Sequence, residues 1–256
     1  MFLSSYIKTR DRLMQQTKTQ MPIEYRSARS RGKRQDNWVS SFFSFCFNDY
    51  YDPARTHFSK LRAINDDVIA PATGFDTHPH RDMEIITYVL SGALQHADNL
   101  GHERTIYAGQ VQAMCAGSGI VHSEHNPSNS DNVHLLQIWV LPNQKGLPPS
   151  YAEAEFPHVM KRQQWCLIAS PDGQDDSLLI NQDMRLWSTL MQKDERMQFM
   201  SQPGRACYVH VARGSVSINQ HKMTAGDALA IEELSDDLIL TASTEAEILL
   251  FDLPMD

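Results

Sequence analysis

His78, His80, His122 and Glu124 stand in two short segments, Gly74-Phe-Asp-Thr-His-Pro-His-Arg-Asp-Met-Glu84 and Gly117-Ser-Gly-Ile-Val-His-Ser-Glu124. Side chains of an extended strand repeat every two residues, so His-x-His presents both imidazoles on one face. His-x-Glu does the same for an imidazole and a carboxylate. Two such strands side by side would aim three neutral nitrogens and one carboxylate at a single point. A mixed nitrogen and oxygen set of this kind suits a first-row divalent metal and leaves coordination positions open. Oxygen chemistry is a natural use for such a centre. Either pair alone fits exposed loop histidines or a satisfied core histidine equally well. The punctuation between the pairs favours the metal. Gly92 and Gly109 bracket the strand-like runs Thr87-Tyr-Val-Leu90 and Val111-Gln-Ala-Met114, and Gly117-Ser-Gly119 leads into His122. Strand, turn, strand, turn in that order matches a small antiparallel barrel whose lumen receives both pairs.

The elements that must position these residues are β-rich. Short apolar runs alternate with Gly, Asn, Asp and Pro at short intervals, the pattern of sandwiches and barrels. Strands are expected over Ser40–Phe47, Leu61–Asp67, Ile85–Leu90, Gly92–Asp98, Val111–Ala116 and Val133–Leu141. Helical signals are few: Ser188–Met200 allows a short helix, but its Met191, Met197 and Met200 read rather as core-filling residues. The chain also contains a diverged internal repeat. Val89-Leu-Ser-Gly-Ala-Leu-Gln-His96 matches Val211-Ala-Arg-Gly-Ser-Val-Ser-Ile218, and Tyr107-Ala-Gly-Gln-Val-Gln-Ala-Met114 matches Thr224-Ala-Gly-Asp-Ala-Leu-Ala-Ile231. The repeat predicts an all-β chain of two similar antiparallel barrels in tandem, joined near Pro142–Tyr151. Offsets from the matched glycines place Met200 and Gln202 where His78 and His80 stand, and Ile239 and Thr241 where His122 and Glu124 stand, within a residue or two. No His-x-His or His-x-Glu follows residue 150. The second barrel is therefore expected to carry no such site, with His210 and His221 as ordinary strand and turn residues.

Length and composition set the outer bounds. A chain of 256 residues allows one large or two ordinary domains. No apolar run approaches the roughly 20 residues that span a bilayer. The four cysteines, Cys46, Cys115, Cys166 and Cys207, are widely spaced in apolar contexts. They form no metal knuckle, and a reducing, cytoplasmic setting is the expectation. The net charge of −8 is uneven, because residues 1–34 carry nine Lys and Arg against Asp11 and Glu24. A basic arm of this kind either touches nucleic acid or lies on its own acidic body. The acidic remainder would repel a phosphate backbone, so nucleic acid is not an expected partner. Residues 1–22 read as a flexible basic extension without the apolar core of a secretory signal.

These motifs resemble the pirin family of the cupin superfamily from about Ser27 onward. The resemblance is carried by Asp66-Asp-Val-Ile69, by the two histidine segments and by Gln137-Ile-Trp-Val140. It implies a bicupin: a metal-binding cupin domain over residues 23–145 and a second cupin domain without metal over 150–256. By the family pattern His78, His80, His122 and Glu124 are the metal ligands. Iron(II) is the usual metal, and nickel, copper, manganese, cobalt or zinc are alternatives. Glu84 has the His-x-His-x-x-x-Glu spacing by which many other cupins take their carboxylate. It shares the parity of residues 78 and 80, so one unbroken strand would turn it to the lumen. Glu124 is the expected ligand, and Glu84 is expected behind it, orienting a histidine. Two activities follow from the resemblance. One is a quercetinase-like dioxygenase that cleaves a flavonol or similar enolisable aromatic with O₂ and releases carbon monoxide, with Glu124 as catalytic proton acceptor. The other is a non-catalytic, iron-dependent redox regulator that binds a protein partner. The resemblance also implies a monomer.

Overall fold

The computed structural model describes residues 23–200, 202–234 and 236–255. The basic extension expected over residues 1–22 lies outside them. The regular structure of the described chain is almost entirely strand, arranged in four sheets. In the first half a seven-stranded sheet runs in the order Ser150–Glu155, Gln110–Cys115, Glu84–Ser91, Val133–Val140, Leu61–Ile69, Val39–Phe43, Gly32–Gln35. It faces a four-stranded sheet of Gly74–His80, Ile120–His125, Ala93–Asp98 and Glu103–Tyr107. The second half repeats the pair. Its seven-stranded sheet is centred on Arg205–Arg213, Ala246–Pro254 and Arg185–Met191, and its four-stranded sheet holds Arg196–Phe199, Leu238–Ala242, Ser215–Ile218 and His221–Thr224. Among the described residues all strand pairings are antiparallel except the short one between Cys166–Ser170 and Leu178–Leu179, beside one isolated parallel bridge from Arg162 to Leu190.

The glycine turns that revealed the repeat occupy matching places. Gly92 and Gly214 have φ of 78° and 75°, and Gly109 and Gly226 have 92° and 85°, a backbone region that side chains with a Cβ avoid. The two seven-stranded sheets pack face to face, and their inner faces share one apolar core. That packing explains why Glu84–Ser91 is buried on both faces. Ile85, Thr87 and Val89 point into the first barrel, while Ile86, Tyr88 and Leu90 join the shared core. A buried polar cluster crosses the same interface. Lys161 Nζ donates to Glu247 Oε1 at 3.0 Å and to the Tyr88 hydroxyl at 2.7 Å. Two strands are exchanged between the halves: Ile23–Arg26 pairs with Ala228–Ile231, and Ser150–Glu155 pairs with Gln110–Cys115. Sheet membership therefore does not follow the 145/150 sequence boundary at either edge.

Ser188–Met200 takes the core-filling reading rather than the helical one: Arg185–Met191 and Arg196–Phe199 are strands joined by a turn with Asp194 at φ 68°. Met191 is buried in the second-half core and Met197 packs against it, while Met200 is exposed. In the second barrel the equivalents of the histidine positions also shift. Pairing places Leu238 opposite Phe199 and Leu240 opposite Ile218, where the first barrel has His122 opposite His78 and Glu124 opposite His96. The matched positions are thus Phe199, Leu238 and Leu240, not Met200, Ile239 and Thr241. Leu238 and Leu240 belong to an apolar core, and Phe199 packs against it. The described part of the basic arm lies on its own body: Arg31 pairs with Asp66 at 2.9 Å, and Arg26 sits over Phe45, Phe58 and Tyr208.

Candidate metal centre

The His-Pro-His strand Gly74–His80 pairs with Ile120–His125 so that His78 stands opposite His122 and His80 opposite Ile120. The approach is close. A Cβ on Gly74 would lie 2.2 Å from the Glu124 carbonyl oxygen, so only glycine fits there. The three imidazole centroids are 4.5 to 4.8 Å from one another. His78 Nδ1 lies 2.7 Å from the Asp76 carbonyl and must carry its proton, which leaves Nε2 as the free lone pair. His122 Nε2 is buried and has no hydrogen-bond partner. Burial, reinforced by His122 and His78, lowers the His80 pKa to about 4. Burial, then His78 and His96, lowers that of His122 to about 3. Both are neutral at pH 7, the form that ligates. A buried, unpartnered nitrogen clustered with two further imidazoles fits a divalent metal.

Glu124 is placed differently from the sequence expectation. The register slips between His122 and Glu124, so Glu124 faces Phe75 rather than Asp76. A bulge of this kind re-aims a side chain. Ligand-capable atoms of His78, His80 and His122 form one group within 4.8 Å, and those of His96, His122 and Glu124 form a second. His122 belongs to both. The Glu124 carboxylate is held from the opposite sheet by a cross-strand row, since Gln112 pairs with Thr87 and Thr87 with Gln137. Gln137 Nε2 donates to Oε2 at 2.6 Å and Gln112 Nε2 to Oε1 at 3.0 Å. The single Thr87 hydroxyl proton goes to Gln137 Oε1 at 2.8 Å, which fixes which end of that amide faces Glu124.

Glu84 is a correction. The strand containing His78 and His80 ends at His80, Asp82 adopts φ 49°, and a new strand starts at Glu84. Parity does not carry across that break. Glu84 points to the shared interface, where it accepts from the Asn181 backbone N–H and side-chain amide at 3.3 Å, and it orients no histidine.

Several residues of this neighbourhood escaped the sequence. His96 Nδ1 approaches His122 Nδ1 at 3.3 Å, and His96 Nε2 lies 3.0 Å from Asp98 Oδ2. Burial raises the Asp98 pKa, but hydrogen bonds from His96, from His102 and from the Leu100 backbone outweigh it and hold the carboxyl at about 2. On the opposite wall Asn65 and Asp67 are buried, and each has an Oδ1 without a partner. Burial pushes the Asp67 carboxyl up to about 7 against a hydrogen bond from Ser41, and the Asp66 and Glu124 carboxylates push the same way. The available signal was a polar residue isolated in an apolar run, as at Thr87, Gln112 and Gln137. Above these groups lies a cavity of about 490 Å³ lined by Trp38, Phe43, Phe47, Phe75 and Trp139 together with His78, His80 and Glu124. The four cysteines are free and buried, with burial first among the causes that push the Cys115 thiol up to about 12. Among the described residues no helix is long and apolar enough to cross a membrane.

The Pirin family model matches residues 24–140, and a model of the quercetinase C-terminal cupin domain matches residues 167–253. A quercetin 2,3-dioxygenase of Escherichia coli K12 is 43% identical over 232 residues, covering 91% of this chain and 99% of that protein. The chain belongs to the pirin family. A putative quercetin 2,3-dioxygenase of Pasteurella multocida is 40% identical, covering 90% and 99%. Among solved structures, the bacterial pirin YhhW of E. coli in complex with nickel(II) superposes with a TM-score of 0.87 at 42% identity, covering 92% and 100%. The bicupin architecture of the pirin fold is thus present in this chain, and its three-histidine cluster is consistent with a divalent metal.

Proposed function

We propose that this pirin is a metal-dependent, quercetinase-like dioxygenase acting on a flavonol or a similar enolisable aromatic. The observation that carries the proposal is an aromatic-lined cavity of about 490 Å³ whose wall holds His78, His80 and the amide-held Glu124 carboxylate, with His122 clustered against the two histidines. That size is typical of pockets for small organic ligands. His78, His80 and His122 would hold the metal, with Glu124 beside His122. Iron(II) is the metal proposed first, and nickel(II) is the alternative suggested by the YhhW complex. The metal, when bound, supplies Lewis-acid contact that acidifies an enolic hydroxyl.

The chain supplies the rest. Trp38, Phe43, Phe47, Phe75 and Trp139 give a flat aromatic its apolar walls. Glu124 takes the hydroxyl proton as general base, and Gln112 and Gln137 fix the plane of its carboxylate while it does so. Asn65 Oδ1 and Asp67 Oδ1 offer acceptors for further hydroxyl groups on the same substrate. The same proposal places the metal in the 23–145 half, leaves the 150–256 half without one, and has a monomeric, cytoplasmic protein. The test is carbon monoxide release from quercetin and O₂ by protein loaded separately with iron(II) and nickel(II). Stoichiometric carbon monoxide that disappears in His78→Ala supports the proposal. None from fully loaded protein overturns it and leaves the partner-binding regulator.

A further inference from the structure

We infer that Asp98, acting through His96, is a positioning group that selects the metal-binding tautomer of His122. The inference rests on the reading of His122 as a metal ligand. Asp98 is anchored first. Its Oδ1 accepts from the Leu100 backbone N–H at 2.9 Å and from the His102 backbone N–H at 3.1 Å. The His102 ring Nδ1 adds a contact at 2.9 Å to Oδ2. That leaves Oδ2 facing His96 Nε2 at 3.0 Å in a pair whose side chains are both shielded from solvent. A carboxylate can only accept, so His96 Nε2 must carry a proton. A His96 carrying only that proton has a bare Nδ1, and that atom faces His122 Nδ1 at 3.3 Å. In this arrangement His122 Nδ1 is the protonated nitrogen and His122 Nε2 the lone pair, as ligation through Nε2 requires. Nε2 is the buried, unpartnered atom.

The logic is that of a histidine ligand whose second nitrogen donates to a carboxylate, lengthened by one imidazole. His78 reaches the same tautomer by a shorter route, donating from Nδ1 to the Asp76 carbonyl. Tyr151 holds the relay in plane. Its ring stacks on His96 at 4.7 Å and 26° and on His102 at 4.9 Å and 25°. Tyr151 belongs to Ser150–Glu155, one of the strands that cross the sequence boundary, so the relay is completed only when that strand docks.

Asp98→Asn tests this without changing volume. Both backbone N–H groups use Oδ1, so the amide oxygen stays there and the NH₂ group takes the place of Oδ2. Facing a donor, His96 must accept at Nε2 and donate from Nδ1, and His122 must then accept at Nδ1 and carry its proton on Nε2. Ring ¹⁵N shifts of metal-free protein are expected to show His122 protonated at Nδ1 in the native chain and at Nε2 in Asp98→Asn. Nickel(II) affinity by calorimetry is expected to fall about 10- to 100-fold, the usual cost of losing an outer partner of a histidine ligand. His96→Phe guards against a folding defect: it keeps the ring stack on Tyr151, removes both nitrogens, and is expected to weaken nickel(II) binding to a similar degree. An unchanged His122 tautomer in Asp98→Asn overturns the inference. So does a native protein that binds two nickel ions where His96→Phe binds one, because His96 would then be a ligand. If the native protein binds no metal, the site reading fails while the tautomer measurement still decides the relay.

Discussion

Asp67 gives the most demanding test of the electrostatics around the site. Its side chain is buried on the cavity wall, and that burial pushes its carboxyl up to about 7 from an ordinary 3.8. The folded state thus holds a proton that the unfolded chain releases. Stability is unaffected below about pH 4, where both states are protonated. It falls as pH rises from about 4 to about 7, by about 1.4 kcal/mol per pH unit, and is level above that. A difference of about three units corresponds to a total of about 4 kcal/mol. Asp67→Asn removes the titration, keeps the shape and still lets Ser41 donate. The variant is therefore expected to gain on the native chain by about 4 kcal/mol between pH 4 and pH 8. The assay is urea unfolding of metal-free protein across that range, followed by tryptophan fluorescence and circular dichroism. Titrating groups that are not coupled to Asp67 cancel in the difference. Parallel pH profiles, agreeing within about 1 kcal/mol throughout, would refute the assignment of a buried, protonated Asp67. A stability penalty retained on a cavity wall is what a ligand-facing acid incurs, and its loss should accompany weaker substrate binding.

Three further outcomes are expected. His122→Ala should lose tight metal binding, measured by metal analysis after dialysis, with the circular dichroism spectrum intact, since both apolar cores are independent of the histidines. Glu124→Gln should retain part of the metal but lose about 100-fold or more in turnover, the usual contribution of a general base; full turnover would remove Glu124 from proton transfer. Lys161→Met should destabilise by up to about 3 kcal/mol in thermal unfolding, because it takes from the buried Glu247 carboxylate its cationic partner at 3.0 Å and leaves it Arg213 at 3.9 Å. A melting temperature within a degree of the native value would show that the interface tolerates the loss of the lysine.

What the sequence determined by itself were the properties that local periodicity encodes. The two-residue repeat put His78 and His80 on one face, and the glycines with positive φ fixed where the repeated hairpins turn. No His-x-His or His-x-Glu follows residue 150, and counting from the glycines came within one residue of the paired positions Phe199, Leu238 and Leu240, the shift that differing loop lengths produce. Tertiary structure decided whatever depends on register and on neighbours distant in sequence. Glu84 and Glu124 are each two-residue-parity matches to a histidine, yet the break at Asp82 turns one to the interface and the bulge beside His122 turns the other toward Gln112 and Gln137. Parity is transmitted only along an unbroken strand. His96, Asp98 and Tyr151 come to His122 from two other strands, one of them exchanged across the sequence boundary. No spacing within a single segment could announce that contact, because it exists only once the sheets have closed.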